Sequence, residues 1–285
     1  MRRLLSKELT ELARTLPPSD DVTLLARDVE IDVLISDGKF ESAETLARCH
    51  HADIRALYGD EHPHALVAAG VVSVALMSQY KFDAAAQIQH EVLEAERRAG
   101  RMDEARSLMC AYATTLSYQG KYNDAERLLD DALERATSVY GTDSEKAVGI
   151  IGASALNLYR MEKFAQAADM HRRVLVVQTR VLGTEHPTTV NTQMSLADAL
   201  FEAGSHDEAL GIMRGSLAIK TRLVDSNTVV CKLNLAYMLG ETGEHAESES
   251  LYRAVHASRV ATLGEDHKDT RNSLRDVVCS LMRSP

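Results

Sequence analysis

One leucine recurs six times along this chain at nearly constant spacing, and this repeat constrains the fold more than any local motif. The leucines are Leu34, Leu76, Leu116, Leu158, Leu200 and Leu239. Each lies four residues before a turn position, and these positions are Gly38, Tyr80, Gly120, Glu162, Gly204 and Gly243, spaced by 42, 40, 42, 42 and 39 residues. Self-similarity at this period predicts a stack of supersecondary units, because such a unit buries its apolar face only against its neighbours.

Each unit is predicted to consist of two antiparallel α-helices joined by the turn. Apolar residues before the turn follow helical spacing, as in Leu196, Ala197 and Leu200. Glycine at the turn favours the left-handed conformation that ends a helix. A ring-bearing side chain stands two residues later, where it is expected to pack back over the turn, at Phe40, Phe82, Tyr122, Phe164, His206 and His245. The signals that stop the second helix are Gly59, Gly141, Gly183 and Gly264.

Composition agrees with a helical repeat. The chain has no tryptophan, 5% aromatic residues and 45% hydrophobic residues, a balance typical of closely packed helices. We therefore predict an all-α fold, a right-handed superhelical solenoid of about six helical hairpins with terminal capping helices. The predicted division is a capping segment at 1–18, a repeat array at 19–265 and a C-terminal capping helix at 266–285. The approximate repeats are 19–59, 60–100, 101–141, 142–183, 184–224 and 225–265.

Charge and cysteine usage restrict the partners and the compartment. The formal net charge of −10 argues against a nucleic-acid ligand, because an acidic chain repels phosphate backbones. The four cysteines are far apart and form no CxxC, which is typical of reduced side chains. No apolar run reaches the length of a membrane span, and the N-terminal stretch is too charged for a secretory signal. We expect a cytoplasmic protein with no membrane partner.

The turns and linkers also carry a family resemblance. Gly-x-aromatic-x-x-Ala between two helices, with a small residue seven positions before the glycine, resembles the tetratricopeptide repeat. The period of about 42 residues and the linkers YGDEHP at 58–63 and LGTEHP at 182–187 are similar to the kinesin light chain subtype. HEAT and armadillo repeats have a comparable period, but this turn argues against them. The resemblance covers roughly residues 20–282 and implies a scaffold for protein or peptide partners.

Two departures separate the chain from kinesin light chains themselves. That family is expected to carry a long heptad coiled coil before its repeats, and this sequence has none. The family also tends to show paired asparagines before Leu-Ala on the first helix, where they hold a peptide backbone. Only Asn234 remains here, and the equivalent positions hold Ser195, Ala153, Ala111 and Val71. The resemblance therefore does not imply motor-cargo recognition.

The side of each first helix that faces away from the leucine is expected to line the concave surface. The candidate groove residues on that side are Asn191, Ser195, Asp198, Glu202, Asn234, Tyr237, Glu241, Tyr118 and Arg160. Nearer the N terminus the same side is apolar, with Val67, Val71, Val74 and Met77. Asparagine and serine can satisfy the backbone of an extended peptide, and carboxylates favour a basic one. We therefore expect a protein or peptide partner with basic character.

No motif for chemistry stands out in the sequence. It has no glycine-rich phosphate loop, no nucleophile elbow and no HExxH, and its 11 histidines are scattered. We therefore assign no catalytic, cofactor-binding or metal-binding residue and expect no enzyme. The favoured function is a non-catalytic scaffold or adaptor. The alternative is a ligand-sensing regulatory module of a larger multidomain protein, and an enzyme is a distant third.

Overall fold

The computed structural model describes residues 11, 15, 17, 20–102, 105–223 and 228–283. These residues form thirteen α-helices and no β-strand. In chain order the helices are α1 (Asp21–Ser36), α2 (Phe40–Tyr58), α3 (Pro63–Ser78), α4 (Phe82–Arg98), α5 (Arg106–Tyr118), α6 (Tyr122–Tyr140), α7 (Glu145–Arg160), α8 (Phe164–Leu182), α9 (Pro187–Glu202), α10 (His206–Arg222), α11 (Thr228–Glu241), α12 (His245–Leu263) and α13 (Lys268–Arg283). The predicted all-α fold of six helical hairpins is confirmed, and α13 follows the sixth hairpin. The capping segment predicted at 1–18 lies, but for three single residues, outside the described part of the chain.

The helices group into two compact units, Met1–Val139 and Tyr140–Pro285. In the first unit each helix from α1 to α4 packs against the next one along the chain. In the second unit the same holds from α7 to α13, and α9 also contacts α11, the first helix of the next hairpin. Contacts restricted to neighbouring helices are those of a repeat array, in which each hairpin is stabilised by the hairpin beside it.

All six turn positions adopt the left-handed conformation that the repeat pattern predicts. The four glycines have φ between 73° and 90°, and the two other residues, Tyr80 and Glu162, have φ of 61° and 59°. At every turn the next backbone N–H donates to the carbonyl of the recurring leucine, for example Lys163 to Leu158 at 3.0 Å and Ser205 to Leu200 at 2.8 Å. This bond is the longer of the two that define a Schellman motif. The leucine therefore ends its helix through its own carbonyl.

The linkers between hairpins place a histidine at the start of the following helix. The Nδ1 atoms of His62 and His186 each accept a hydrogen bond of 3.3 Å from the backbone N–H two residues later. Proline follows both of these histidines at the first helical position, where its missing N–H costs nothing. His267 accepts from the Asp269 N–H in the same way at 3.2 Å, although lysine replaces proline there. These ring nitrogens thus act as N-caps.

The recurring leucine forms the core between hairpins, as predicted. The side chains of Leu76, Leu116, Leu158, Leu200 and Leu239 are all buried, and Leu34 in the first hairpin is half-buried. The small residue five positions after the turn is also buried, as alanine in five hairpins. The sixth hairpin has Ser248 there, and its hydroxyl donates to the Ala236 carbonyl at 2.6 Å. The hydroxyl is therefore tolerated in the core because it has a hydrogen-bond partner.

Candidate functional site

Most of the predicted groove residues of the second unit meet around two adjoining cavities. The first, here called the α7–α9 cavity, measures about 440 Å³ and is bounded by α7, α8 and α9. Its apolar wall includes Val148, Leu156 and Val174. Three of the predicted residues, Asn191, Ser195 and Asp198, line it from α9. An apolar cavity with a few convergent polar groups has the usual composition of a ligand site.

The second cavity lies between the next pair of first helices. This α9–α11 cavity measures about 240 Å³ and contains the predicted residues Asp198, Glu202, Asn234 and Tyr237. The Asn234 amide donates to both carboxylate oxygens of Asp198, each at 3.3 Å. Asp198 and Tyr159 line both cavities, so the cavities adjoin at these two residues.

Burial changes the protonation of the groups at this point. The pKa of Asp198 is raised to about 6: burial is the main cause, the Asn234 amide opposes the shift, and the nearby Glu202 carboxylate adds to it. Burial also raises the pKa of Tyr159 to about 12. The imidazole of His171, in the floor of the α7–α9 cavity, has its pKa lowered to about 4 by burial and is therefore neutral at neutral pH.

The remaining predicted residues lie elsewhere. Tyr118 belongs to the first unit, where its ring stacks on Phe82 with centroids 4.8 Å apart and planes 10° from parallel. Arg160 and Glu241 are the last residues of α7 and α11 and line neither of the two cavities. The sequence grouped these three residues with the others, but they do not line either of the two cavities.

Ten of the residues that line the α7–α9 cavity were not predicted from the sequence, and four of them determine its shape and its buried polar atoms. Gly149 and Gly152 lie on α7, and His171 and Gln178 lie on α8, the second helix of the same hairpin. The prediction considered only first helices, so it overlooked the floor that a second helix contributes. The two glycines in the middle of α7 were a signal for the cavity in the sequence. Glycine destabilises the interior of a helix, so its presence there suggests that the position has a packing or functional reason.

The first unit carries the apolar surface that the sequence predicts. The side chains of Val67 and Val74 on α3 are exposed, and those of Val71 and Met77 are half-buried. Among the described residues, no helix combines the length and apolarity that crossing a bilayer requires. The same residues contain no group of three or more His, Cys, Asp or Glu side chains able to hold a metal ion.

Comparison with known proteins identifies the repeat. The tetratricopeptide repeat family matches residues 150–222, 112–145 and 228–269, which together exceed half of the chain. One curated relative, the clustered mitochondria protein homolog of Homo sapiens, is 28% identical over 95 residues, or 33% of this chain. The matched stretch spans only 7% of that protein's length.

Solved structures show the same fold at low sequence identity. The TPR-like repeats of a Podosopora anserina protein assigned as a kinesin light chain are 19% identical, with a TM-score of 0.58 over 64% of this chain and 87% of that one. BtubC (BKLC) from P. vanneervenii is 18% identical, with a TM-score of 0.61 over 77% and 90%. A Rap protein complexed with Competence and Sporulation Factor is 12% identical, with a TM-score of 0.59 over 91% and 86%. The chain belongs to the tetratricopeptide repeat family, and its fold is similar to that of the kinesin light chain-like repeats among these structures.

Proposed function

We propose that the chain is a non-catalytic scaffold that binds a protein or peptide along the first-helix face of its second unit, meaning the exposed side of α7, α9 and α11. Tetratricopeptide folds serve protein interactions in general, and a Rap protein of this fold was crystallised in complex with Competence and Sporulation Factor. The observation that carries the proposal is the convergence on Asp198 of polar side chains from two successive first helices.

The chemistry of this face suits an extended segment. Asn234, Ser195 and Asn191 offer amide and hydroxyl groups, which can pair with the N–H and C=O groups of a peptide backbone. Asp198 lines both cavities, so neighbouring side chains of the segment could enter them in turn. Ordered polar contacts along the backbone combined with pockets for side chains are the usual basis of peptide recognition.

Charge adds a preference for basic segments. Glu202 and Glu241 are exposed carboxylates on this face, and Asp198 joins them when it is ionised. Exposed charges are screened beyond about 8 Å at physiological ionic strength, so added salt should weaken the binding of a basic peptide. A cationic side chain beside Asp198 would also favour its ionised form and displace its proton.

The proposal is tested by peptide binding to matched variants. Peptides that bind the wild-type protein are first selected from a peptide array. Their affinities are then measured for Asn234→Ala, Tyr237→Ala and the control Asn123→Ala. Asn123 is an exposed asparagine on α6, a second helix in the other unit. We expect the two groove variants to weaken binding by roughly 5- to 30-fold, since each lost contact is worth about 1–2 kcal/mol. The control should bind as tightly as wild type.

Two results would contradict this assignment. If a partner binds the groove variants and the wild type equally well, the binding surface lies outside the first-helix face. If the selected peptides are acidic, or if their affinity is independent of salt, the electrostatic part is wrong while the asparagine and tyrosine contacts remain open to the same test. Thermal melting of each variant distinguishes loss of binding from loss of folding.

A ligand-sensing regulatory module is the second candidate function, and one observation favours it. The α7–α9 cavity is large enough for a small molecule, and it contains buried polar atoms without a partner. A sensor of this kind would respond to a free ligand and would act on an attached or bound effector. We also propose a cytoplasmic location, which the cysteine usage favours and which localisation of the tagged protein would test.

A further inference from the structure

The α7–α9 cavity lies where α7 lacks two side chains that the next first helix, α9, carries. In α9, Asn191 and Met194 stand 13 and 10 residues before the turn at Gly204. The same positions in α7, counted from Glu162, are Gly149 and Gly152. A Cβ atom added at either glycine would meet no other atom within 4 Å. The fourth hairpin thus leaves open a volume that the fifth hairpin fills.

The hydrogen-bond partners differ between the two hairpins in the same way. In the fifth hairpin the Lys220 ammonium donates to Asn191 Oδ1 at 2.9 Å. Gln178 is the equivalent of Lys220 in the fourth hairpin, since both stand 16 residues after their turn. Gly149 takes the place of Asn191, so the Gln178 side chain faces no such residue. Its Oε1 atom is buried without a hydrogen-bond partner.

His171 is a second lining residue of the cavity with a polar atom that has no hydrogen-bond partner. Its side chain is 8% exposed, and its Nδ1 atom is buried without a partner. The ring is neutral, so Nδ1 can accept a hydrogen bond when the proton is on Nε2. Leaving such a buried acceptor unpaired destabilises the folded protein. Gln178 and His171 together indicate a site made for an occupant that donates hydrogen bonds.

The acceptors lie at opposite ends of the cavity. His171 and Gln178 are seven residues apart on α8, a distance of about 10 Å along a helix. Asn191 and Asp198 are separated equally on α9, which runs in the opposite direction. Asp198 therefore lies level with His171, and Asn191 lies level with Gln178. The apolar Val174 lies between the two ends, on the same face of α8.

We propose that the α7–α9 cavity binds a linear ligand with two hydrogen-bond donor groups, an ammonium or guanidinium at the Asp198–His171 end and a second donor at Gln178, joined by an unbranched apolar stem. This inference rests on the proposed function, because the cavity would be a specific pocket within the proposed peptide groove. Two sources share the chemistry, a free diamine and a lysine or arginine residue of a bound peptide. An extended six-carbon diamine spans about 9 Å, which matches the separation of the two ends.

Several titratable side chains line the two cavities together with Asp198. Tyr159 on α7, His171 on α8, Glu202 on α9 and Tyr237 on α11 line the cavities that Asp198 shares. The charge of Asp198 also reaches the buried thiol of Cys231, which in turn feels Lys220 on α10. Because an ammonium favours the ionised carboxylate, binding should release a proton at about pH 6 and tighten as the pH rises.

The test is calorimetric titration of the whole protein with matched probes. The probes are 1,6-diaminohexane, n-hexylamine, 1,3-diaminopropane and hexanoate. We expect 1,6-diaminohexane to bind at least tenfold more tightly than the monoamine or the shorter diamine, and we expect hexanoate not to bind. An acetylated alanine pentapeptide with a central lysine, compared with its norleucine analogue, distinguishes a peptide source from a free diamine.

Two variants locate the binding. Gly152→Met restores the side chain found in the fifth hairpin and should weaken 1,6-diaminohexane at least tenfold. Gly70→Met is the matched control, because Gly70 stands at the same repeat position in the first unit and also has free space around it. Gln178→Leu, which removes the second acceptor, should bind the diamine and the monoamine equally. Equal binding of the diamine to wild type and to folded Gly152→Met would overturn the proposal.

Failure of this inference can be told apart from failure of the proposed function. If no amine probe and no lysine peptide binds, the cavity holds water only and the inference is wrong. The selected peptides would in that case still depend on Asn234 and Tyr237 if the groove binds protein. If the amines bind but the peptide affinity is unchanged by substitution of those two residues, the amine pocket is supported and the peptide groove is wrong.

Discussion

The left-handed turn at Glu162 provides a sensitive check on the repeat assignment. Four of the six turns have glycine at the left-handed position, whereas Glu162 holds a charged side chain there at φ 59°. A left-handed residue other than glycine costs roughly 1–2 kcal/mol, because its Cβ approaches the following carbonyl oxygen. Glycine lowers stability by about 0.5–1 kcal/mol through the entropy of the unfolded chain. Glu162→Gly should therefore stabilise the protein by about 0.5–1 kcal/mol.

The reverse substitution and a neutral one complete the comparison. Gly204 is the glycine at the same position in the next hairpin, at φ 88°, and a Cβ added there would meet no atom within 4 Å. Gly204→Ala should therefore cost about 1 kcal/mol from the backbone alone. Glu162→Ala keeps the strained conformation and should gain no more than a few tenths of a kcal/mol.

Urea denaturation followed by circular dichroism measures these differences, provided that the slope of each transition is unchanged. The expected order of stability is Glu162→Gly, then wild type and Glu162→Ala together, then Gly204→Ala. A destabilised Glu162→Gly protein would refute the reasoning, because it would mean that the carboxylate contributes more than the strain removes. An unchanged Gly204→Ala protein would show that φ at this turn is not left-handed in solution.

Three further outcomes are expected. Leu200→Ala should cost roughly 2–5 kcal/mol in urea denaturation, as for other buried leucines, whereas Leu274→Ala, whose leucine is 49% exposed on α13, should cost much less; equal losses would refute the register. The pKa of Asp198 is raised by folding, so its contribution to stability falls as the pH rises from about 4 to about 6. Asp198→Asn should remove that dependence, so the stability of the variant relative to the wild type should be about 1–3 kcal/mol greater at neutral pH than in acid. A variant whose stability follows the same pH dependence as the wild type would contradict this. Selected basic peptides should bind wild type more tightly at about pH 7 than at about pH 5, and Asp198→Asn should abolish the difference in a fluorescence titration.

The repeat made the fold predictable from sequence to a degree unusual for a chain of this length. Because the leucine column recurs at fixed spacing, the turn positions could be assigned even at Tyr80 and Glu162, where local preference argues against a left-handed residue. Burial of Leu158 and Leu200 followed from the same column. The function of the linker histidines as N-caps was not predicted, since histidine is not among the preferred capping residues.

The candidate site was only partly predictable, and the reason lies in how a repeat is read. Asn191, Ser195 and Asp198 were found because they lie on the exposed side of one first helix. His171 was missed because it lies on a second helix, at a repeat position that elsewhere holds buried residues such as Leu129 and Met213. Gly152 was missed because it contributes by lacking a side chain.

The shared role of the recurring leucine has a consequence for the kinetics of folding. At each turn one residue supplies both the core contact and the carbonyl that closes the turn, so docking of its side chain and termination of its helix are a single event. Hairpins with glycine at the turn sample this geometry readily in the unfolded chain, whereas Glu162 resists it. In the second unit we therefore expect the nucleus to form at α9–α10, around Leu200 and Gly204, and α7–α8 to join it later, so that mutations at the Glu162 turn change the unfolding rate more than the folding rate.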